Sequence, residues 1–324
     1  MLRHVCWDDP LFCTGLRLRA ARGLTRAVRS RDLARLILLA AIWGGSFLFM
    51  RVAAPPLGPI ATADLRVLLA GAALLAWLRV AGIDLAWRAH WRRYLVVGVM
   101  NSAAPFALFA FGALHLPASY LVVLNATAPL FGAAVSAVWL RQRLTARAAL
   151  GLGAGVSGVA MLVGLGPITP SPPVVAAIVA SAFAALCYAL AAAYLKRRAA
   201  GADSAALATG SQLAAGLVLL PLLPVLPPAA LPTAGEWAAA ALLGVLCTAI
   251  AYLLYFRLIA DVGPTRALTV TFLLPAFGML WGALFLGEAI TSTMAAGCGL
   301  VLLGTSLILW QDARTRKVES SAEP

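Results

Sequence analysis

Apolar runs long enough to span a bilayer alternate with short polar breaks from Leu33 almost to the C-terminus. An α-helix needs about 20 apolar residues to cross the hydrocarbon core. The breaks contain helix-stopping Pro and Gly, as in "AAPPLGP" at 53–59 and "GPITPSPP" at 166–173. The pattern predicts an all-α integral membrane protein of ten transmembrane helices. The predicted spans are 34–53, 59–80, 94–114, 117–140, 147–165, 174–195, 205–226, 236–258, 264–286 and 292–310.

The composition supports lipid as the solvent of this chain. Hydrophobic residues make up 62% of the sequence and charged residues 11%, with a mean hydropathy of +0.92. A soluble domain carries about 25% charged residues. A water-soluble fold of this size could not bury so much apolar surface. We therefore expect the lipid bilayer to be the main partner of the protein.

The net charge of +13 follows membrane topology and does not indicate nucleic-acid binding. Lys and Arg cluster in every second break and are nearly missing from the others, where only Arg51 lies at an edge. The positive-inside rule then predicts that the N- and C-termini are cytosolic. We expect a multi-pass protein of the cell inner membrane. The clustered residues are Arg79, Arg88, Arg92, Arg93, Arg141, Arg143, Arg147, Lys196, Arg197, Arg198, Arg257, Arg266, Arg314, Arg316 and Lys317.

The ends of the chain and its cysteines carry no recognisable chemistry. Residues 1–33 are predicted to be a basic cytosolic arm and residues 311–324 a cytosolic tail. No cleaved signal peptide is expected, because no apolar segment with a small-residue cleavage site precedes Leu33. The five cysteines are scattered without ligand spacing. We expect no metal, no cofactor and no enzymatic activity.

An internal repeat is the strongest signal in the sequence. With a shift of 146 positions, Gly98–Val163 aligns without a gap on the second half, and Pro129 falls on Pro275. In the same register Gly151 falls on Gly297 and Gly158 on Gly304. The repeats are predicted to cover 34–166 and 174–310. Five helices per repeat is an odd number, so the copies are expected to have inverted topology, as in secondary transporters with a site near the midplane.

Four segments carry a resemblance to a known family. They are "AIWGGSFLFMRV" at 41–52, "DLRVLLAGAALL" at 64–75, "APLFGAAVSAVWLRQRLT" at 128–145 and "LPAFGMLWGALFLGEAIT" at 274–291. With these segments the chain resembles the ten-helix EamA branch of the drug/metabolite transporter superfamily, over about 34–310. The resemblance implies the fold and transport of a small molecule, and it leaves the substrate open.

One departure from the family pattern concerns an acidic residue. The family usually has a Gly-Glu pair before the fifth helix and again before the tenth. Gly287 and Glu288 keep the second pair, whereas Arg141 and Gln142 replace the first. A mechanism that needs both acids is therefore in doubt for this chain. Glu288 remains a candidate coupling residue, and an exposed acid at a helix end is the simpler interpretation.

Arg66 is the main candidate for a substrate contact. It lies within the second predicted span and matches an Arg of the family. An ionisable group at membrane depth usually faces a cavity or a partner. Arg66 is expected to meet a substrate carboxylate or a coupled acid. The alternatives are that its side chain extends to the membrane surface, or that it pairs with Asp64, which is two residues away and so not on its face. Gln212 aligns with Arg66 in the second repeat.

Further polar and aromatic residues within the spans complete the expected cavity wall. Trp43 and its repeat mate Tyr188 lie in the middle of their spans, and the small residues beside Trp43 allow close approach of the backbone. Each side chain could also serve helix packing alone. The expected substrate-binding residues are Trp43, Ser46, Arg66, Asn101, Asn125, Tyr188, Gln212 and Tyr252.

Pro129 and Pro275 occupy equivalent helices and would interrupt the helical hydrogen bonds there. They are candidate hinges for alternating access, and static kinks are the alternative.

Taken with the resemblance, the residues predict a secondary active transporter that exports small metabolites such as amino acids. Efflux of drugs or organic cations, and an importer or antiporter, are alternatives; a membrane-embedded non-transport protein is less favoured. The expected partner is a small-molecule substrate, and the expected oligomeric state is a monomer or homodimer.

Overall fold

The computed structural model describes residues 30–139, 145–165, 168–169, 171–198 and 203–321, and this part of the chain is almost entirely helical and contains no β-strand. The predicted all-α class is therefore confirmed for these residues. The helices are α1 (Ser30–Ala81), α2 (Trp87–Gly98), α3 (Ala104–His115), α4 (Ala118–Asn125), α5 (Ala128–Trp139), α6 (Ala146–Gly164), α7 (Pro172–Arg198), α8 (Ser204–Leu219), α9 (Ala234–Gly244), α10 (Ala251–Val262), α11 (Pro264–Ala267), α12 (Val270–Leu286) and α13 (Ser292–Ser321).

Two π-helical turns interrupt longer helices. The first π turn, Val99–Ala103, joins α2 to α3, and the second π turn, Val245–Ile250, joins α9 to α10. Their first residues are 146 positions apart, so both turns occupy the same place in the repeat. A π turn inserts one residue into the helical ladder and often lies at a functional site.

Eight helical stretches among the described residues are long and apolar enough to cross a membrane. One of them, α1, contains the first two predicted spans. Its 52 residues would measure about 78 Å as a straight helix, more than twice the thickness of the hydrocarbon core. The two halves of α1 meet at Gly58, whose φ of 77° favours glycine, and three prolines lie within four residues of this point.

Other predicted span boundaries differ from the helices. The predicted span 117–140 is divided between α4 and α5, because the helix is interrupted at Ala126 and Thr127. The ninth predicted span corresponds mainly to α12, which has 17 residues. At the C-terminal end, α13 continues to Ser321, past the predicted membrane boundary at 310. Predictions for 1–29 and for Gln142 lie outside the described residues.

Glycine pairs hold the last helix of each half together. A Cβ added to Gly151 of α6 would lie 2.7 Å from the carbonyl oxygen of Gly304 in α13. One added to Gly158 would lie 2.6 Å from the carbonyl oxygen of Gly297. Only glycine permits these two backbones to approach so closely. The contacts are reciprocal, since the repeat mate of Gly151 packs on Gly158 and the mate of Gly158 packs on Gly151.

The longest helix positions the candidate site. Helix α1 packs against α8, α9, α12 and α3, and α7 packs against α3 and α5. The residues of the π turns face this packed centre: Ser102 and Thr248 are both buried.

Candidate functional site

Arg66 is a buried cation on the second half of α1. Only 7% of its surface is exposed. Its Nε donates a 3.0 Å hydrogen bond to Thr248 Oγ1 in the second π turn, and its guanidinium carbon lies 3.7 Å from the centroid of the Phe106 ring. No carboxylate forms an ion pair with Arg66 in the described part of the chain. A cation held this way attracts an anionic ligand, because burial without a counter-charge is costly.

Gln212 of α8 is fully buried. Its Nε2 donates a 2.9 Å hydrogen bond to Ser102 Oγ in the first π turn. Its Oε1 accepts no hydrogen bond from any described residue. An unsatisfied buried amide oxygen is unfavourable, so this atom is available to a donor group of a ligand.

These two hydrogen bonds are equivalent under the sequence repeat. Arg66 and Gln212 are 146 positions apart, and so are Ser102 and Thr248. Each donor lies in one repeat and its hydroxyl acceptor in the π turn of the other. The site therefore has two equivalent positions, of which one carries a cation and the other a neutral amide.

Aromatic side chains form a second reciprocal pair. The rings of Trp43 and Tyr255 have centroids 5.2 Å apart, and Tyr188 stacks on Phe109 at 6.3 Å. Tyr188 is the repeat mate of Trp43 with a shift of 145, and Tyr255 is the mate of Phe109 with a shift of 146. Each aromatic contact thus joins a residue of one repeat to a residue of the other, and the repeat mates form the equivalent contact, as in the two hydrogen bonds.

Tyr252 links the polar groups of the two positions. Its hydroxyl accepts a 3.5 Å hydrogen bond from Asn101 Nδ2, and it also interacts with Ser102 and Gln212. Tyr188, Cys247 and Tyr252 lie close to the guanidinium of Arg66. The structure therefore brings together Arg66, Asn101, Tyr188, Gln212 and Tyr252 of the predicted residues. Trp43 lies beside them through Tyr255.

The remaining two predicted binding residues are less central. Ser46 is buried, and its hydroxyl donates a 2.6 Å hydrogen bond to the Trp43 carbonyl on its own helix. Asn125 is the last residue of α4 and is half-buried at the interruption of that helix.

The sequence analysis did not identify Ser102, Thr248, Phe106 or Phe109 as site residues. The internal repeat contained a signal for Ser102 and Thr248, because the shift of 146 positions aligns these two hydroxyl residues within apolar segments. No sequence signal indicated that Phe106 would lie under the guanidinium of Arg66.

Glu288, which follows α12 in the second repeat, contacts the start of α4 in the first repeat. Its carboxylate accepts hydrogen bonds from Ala118 N at 2.7 Å, Ser119 N at 3.0 Å and Ser119 Oγ at 2.6 Å. These groups form the N-terminus of α4, where free N–H groups favour an acidic partner. The preceding Gly287 adopts a positive φ of 66°, which turns the chain towards α4. Glu288 is thus a capping residue in this conformation, and coupling stays a prediction.

The candidate hinge prolines occupy different local settings. Pro129 is the second residue of α5, just after the interruption at Ala126 and Thr127. Proline is well tolerated in the first turn of a helix. Pro275 is buried within α12, which continues through it. The structure therefore places a break beside Pro129 and an unbroken helix around Pro275.

A separate apolar groove of about 650 Å³ lies between α1, α9 and α12. Ile42, Phe49 and Trp281 line it, and Trp281 Nε1 donates a 2.9 Å hydrogen bond to the Ala41 carbonyl. Its lining contains no charged side chain. The polar cluster around Arg66 is therefore the better candidate for a site that binds a charged molecule.

Comparison with known proteins gives a consistent result. The model of the EamA-like transporter family matches residues 33–164 and again residues 175–310. Protein PecM of Dickeya dadantii is 27% identical over 86% of this chain and 93% of its own length. A probable terminal-alkyne amino-acid exporter of Streptantibioticus cattleyicolor is 26% identical over 84% of this chain and 91% of its own length.

Two further similarities extend over most of the chain. An uncharacterized transporter of Archaeoglobus fulgidus is 25% identical over 85% of this chain and 97% of its own length. A solved crystal structure matches with a TM-score of 0.62 at 20% identity, covering 89% of this chain and 99% of the other. This last similarity concerns the fold alone.

Proposed function

The chain belongs to the EamA-like transporter family, a family of multi-pass membrane transporters, and we propose that it is a secondary active transporter that exports small metabolites such as amino acids by alternating access. The observation that carries the proposal is the buried Arg66 without a carboxylate partner among the described residues. The relative that is named as an amino-acid exporter supports the substrate class.

The single cation favours a carboxylate over a phosphate as the substrate group. Phosphate recognition usually uses two or more basic side chains. Arg66 is the one basic side chain that the described site brings to its polar cluster. Its positive charge also disfavours organic cations. The aromatic rings of Trp43, Tyr188 and Tyr255 would surround the apolar part of an amino acid.

Reciprocal contacts support two inverted repeats with ten spans. A two-fold axis requires that, where residue i contacts residue j′, residue j also contacts i′. The hydrogen bonds of Arg66 and Gln212, the aromatic pairs and the glycine pairs all have this form. We infer repeats at 34–166 and 174–310. The division of α1 at Gly58 turns one of the eight long helical stretches of the described residues into two spans, and α12 adds another, which gives ten spans.

In alternating access, each of the two repeats would adopt the conformation that the other had before, so that the site opens to the opposite side of the membrane. Because each repeat places its polar donor against the π turn of the other, rocking one repeat would rearrange both hydrogen bonds together. The site near Arg66 would then face one side of the membrane at a time. Pro129 and Pro275 are proposed as hinges for this movement.

The Lys and Arg distribution supports an inner-membrane protein with cytosolic termini. In this orientation, Gly58 and Glu288 lie at the external side. We propose no nucleic acid, metal or cofactor as partner, and a monomer or homodimer as the working unit. A non-enzymatic role agrees with the family to which the chain belongs.

An export assay tests this function. Bacteria that lack their own amino-acid exporters would express the protein, be loaded with dipeptides, and be followed for amino acids in the medium. We expect a selective rise for a few amino acids, and loss of that rise in Arg66→Ala. Arg79→Ala is a matched control, because Arg79 is exposed at the end of the same helix. With membrane expression verified, no rise for any amino acid would contradict the export proposal.

A further inference from the structure

Asp64 is a buried carboxyl group to which the mechanism above gives no role. It is 2% exposed and lies on α1 two residues before Arg66 and six residues after Gly58, or about 9 Å along the helix. No described residue forms a hydrogen bond to its Oδ1, and no cation forms an ion pair with it in the described ranges. Two residues along a helix are separated by about 200° around its axis, so Asp64 and Arg66 lie on opposite faces of α1.

The face of α1 that carries Asp64 packs on α8. Leu68 lies one turn further along this face and contacts Gly216, and Gly71 contacts Leu213. A Cβ added to Gly216 would lie 3.5 Å from Asp64 Oδ1. Helix α8 has no ionisable side chain between Ser204 and Leu219. The neighbours of the carboxyl group identified on this side, Leu68 and Gly216, are therefore apolar and uncharged.

No other element that packs against α1 offers Asp64 a counter-charge. At the distant end of α10, Arg257 and Asp261 interact with each other, and Asp261 also binds Arg35. The other ionisable side chains on these elements and on α7 form no hydrogen bond or ion pair with Asp64 in the described ranges. They are His115 of α3, Tyr120 of α4, Cys187, Tyr188, Tyr194, Lys196 and Arg197 of α7, Glu236 of α9, Cys247 of the second π turn, and Tyr252 and Tyr255 of α10.

The geometry suits a proton better than a metal cation. An ionised carboxylate without partners is much less stable in apolar surroundings than a neutral carboxylic acid. A metal cation such as Na⁺ or Ca²⁺ would need several oxygen ligands, and Asp64 is one carboxyl group beside an apolar face. A proton needs one acceptor oxygen. The carboxyl group can therefore be buried in this arrangement when it carries a proton.

We propose that Asp64 is the proton-binding site that couples transport to the proton gradient. Asp64 takes up a proton from the external side when the interface between α1 and α8 opens to water there, and the neutral acid is then buried. When the interface opens to the cytosolic side, the proton leaves and the carboxylate is hydrated. Because Arg66 lies on the same helix, one movement of α1 changes the surroundings of both the proton site and the substrate site.

This inference rests on the transporter function proposed above, so its first test does not use transport. Infrared difference spectra of the purified full-length protein in lipid, taken between acidic and alkaline pH, would report the C=O stretch of a protonated carboxyl group. We expect a band that disappears on titration in the wild type and is lost in Asp64→Asn. Asp84→Asn is the control, because Asp84 lies in an exposed turn and caps Ala86; it should keep the band.

Two results of this experiment would overturn the proposal: no protonated carboxyl band in the wild type near neutral pH, or a band that persists unchanged in Asp64→Asn. If Asp64→Asn cannot be purified, Asp64→Glu keeps the acid but changes its vibrational frequency. A shift of the band in Asp64→Glu assigns it to this residue, and an unshifted band contradicts the assignment.

A second experiment separates coupling from binding. Proteoliposomes would be assayed for amino-acid exchange without a pH gradient and for accumulation driven by a pH gradient. We expect Asp64→Asn to keep exchange and to lose accumulation by at least about tenfold, equivalent to about 1.4 kcal/mol. Accumulation equal to the wild type would overturn the role of Asp64. A wild type that exchanges no amino acid would contradict the proposed function instead, while the infrared result would still report on the proton site.

Discussion

The Nε of Arg66 donates to Thr248 Oγ1 at 3.0 Å, and the repeat mates of these two residues, Gln212 and Ser102, form the equivalent hydrogen bond at 2.9 Å. With Arg at one position and Gln at the other, the two hydrogen bonds have similar geometry while the charge differs. The result is a single buried cation in a site that otherwise has two equivalent halves.

Replacing Arg66 with an apolar residue should stabilise the fold while it abolishes transport. A buried charge without a counter-ion is unfavourable, and a well-packed apolar replacement can be neutral or stabilising. We expect Arg66→Met to raise the melting temperature of the purified protein in detergent, as measured by tryptophan fluorescence. The control Arg79→Met should leave it unchanged. A clear fall for Arg66→Met would mean that the hydrogen bond to Thr248 and the contact with Phe106 outweigh the cost of the charge.

Exchanging Arg66 and Gln212 tests the equivalence of the two positions. The single variants Arg66→Gln and Gln212→Arg remove the cation or add a second one. We expect both to lose amino-acid exchange by at least about tenfold, which corresponds to about 1.4 kcal/mol. The double variant restores one cation, now opposite Ser102. It should recover part of the exchange activity. A double variant no better than either single variant would contradict functional equivalence of the repeats.

The contact between α6 and α13 should be sensitive to a single added methyl group. In Gly151→Ala the new Cβ would lie 2.7 Å from the Gly304 carbonyl oxygen, so the helices must separate. Overpacking of this kind costs about 1–3 kcal/mol. We expect a lower melting temperature. Gly153→Ala is a matched control, because a Cβ at Gly153 would meet no atom within 4 Å. Equal melting temperatures for the two variants would argue against close packing at Gly151.

Glu288 can be assigned either to capping or to coupling by two measurements. Its carboxylate accepts hydrogen bonds from Ala118 N and Ser119 N, so Glu288→Ala should destabilise α4 by about 0.5–2 kcal/mol, as loss of a helix cap does. We expect a lower melting temperature with retained accumulation of substrate. Unchanged stability together with lost accumulation would identify a coupling residue instead. Ser119→Ala serves as the partner variant, since it removes one donor and leaves the carboxyl group in place.

The site residues that are related by the internal sequence repeat could be predicted from the sequence. The shift of 146 positions aligned Arg66 with Gln212, and a shift of 145 aligned Trp43 with Tyr188; in the structure each of these residues contacts the other repeat in the same manner as its mate. Apolar run length predicted most helices, because a helix in lipid must satisfy its own backbone hydrogen bonds.

The features that the sequence did not reveal depend on local backbone geometry. A π turn changes the helical hydrogen-bond pattern by one residue and leaves no periodic signature, so the positions of Ser102 and Thr248 could not be derived from apolar runs. The interruption at Ala126 and Thr127 precedes Pro129, but proline alone does not specify whether a helix bends or restarts. The contact of Phe106 with Arg66 arises from tertiary packing between α1 and α3.

The most direct test of the account is counterflow of a radiolabelled amino acid into proteoliposomes. The vesicles would contain either the same unlabelled amino acid or its amide, in which a neutral carboxamide replaces the carboxylate. Wild-type protein should exchange the label for the acid, and for the amide at least about tenfold more slowly, because the amide offers no carboxylate to Arg66. Arg66→Ala should lose the preference for the acid, while Arg79→Ala should keep it. Equal exchange for acid and amide in the wild type, or an undiminished preference in Arg66→Ala, would contradict a carboxylate site at Arg66.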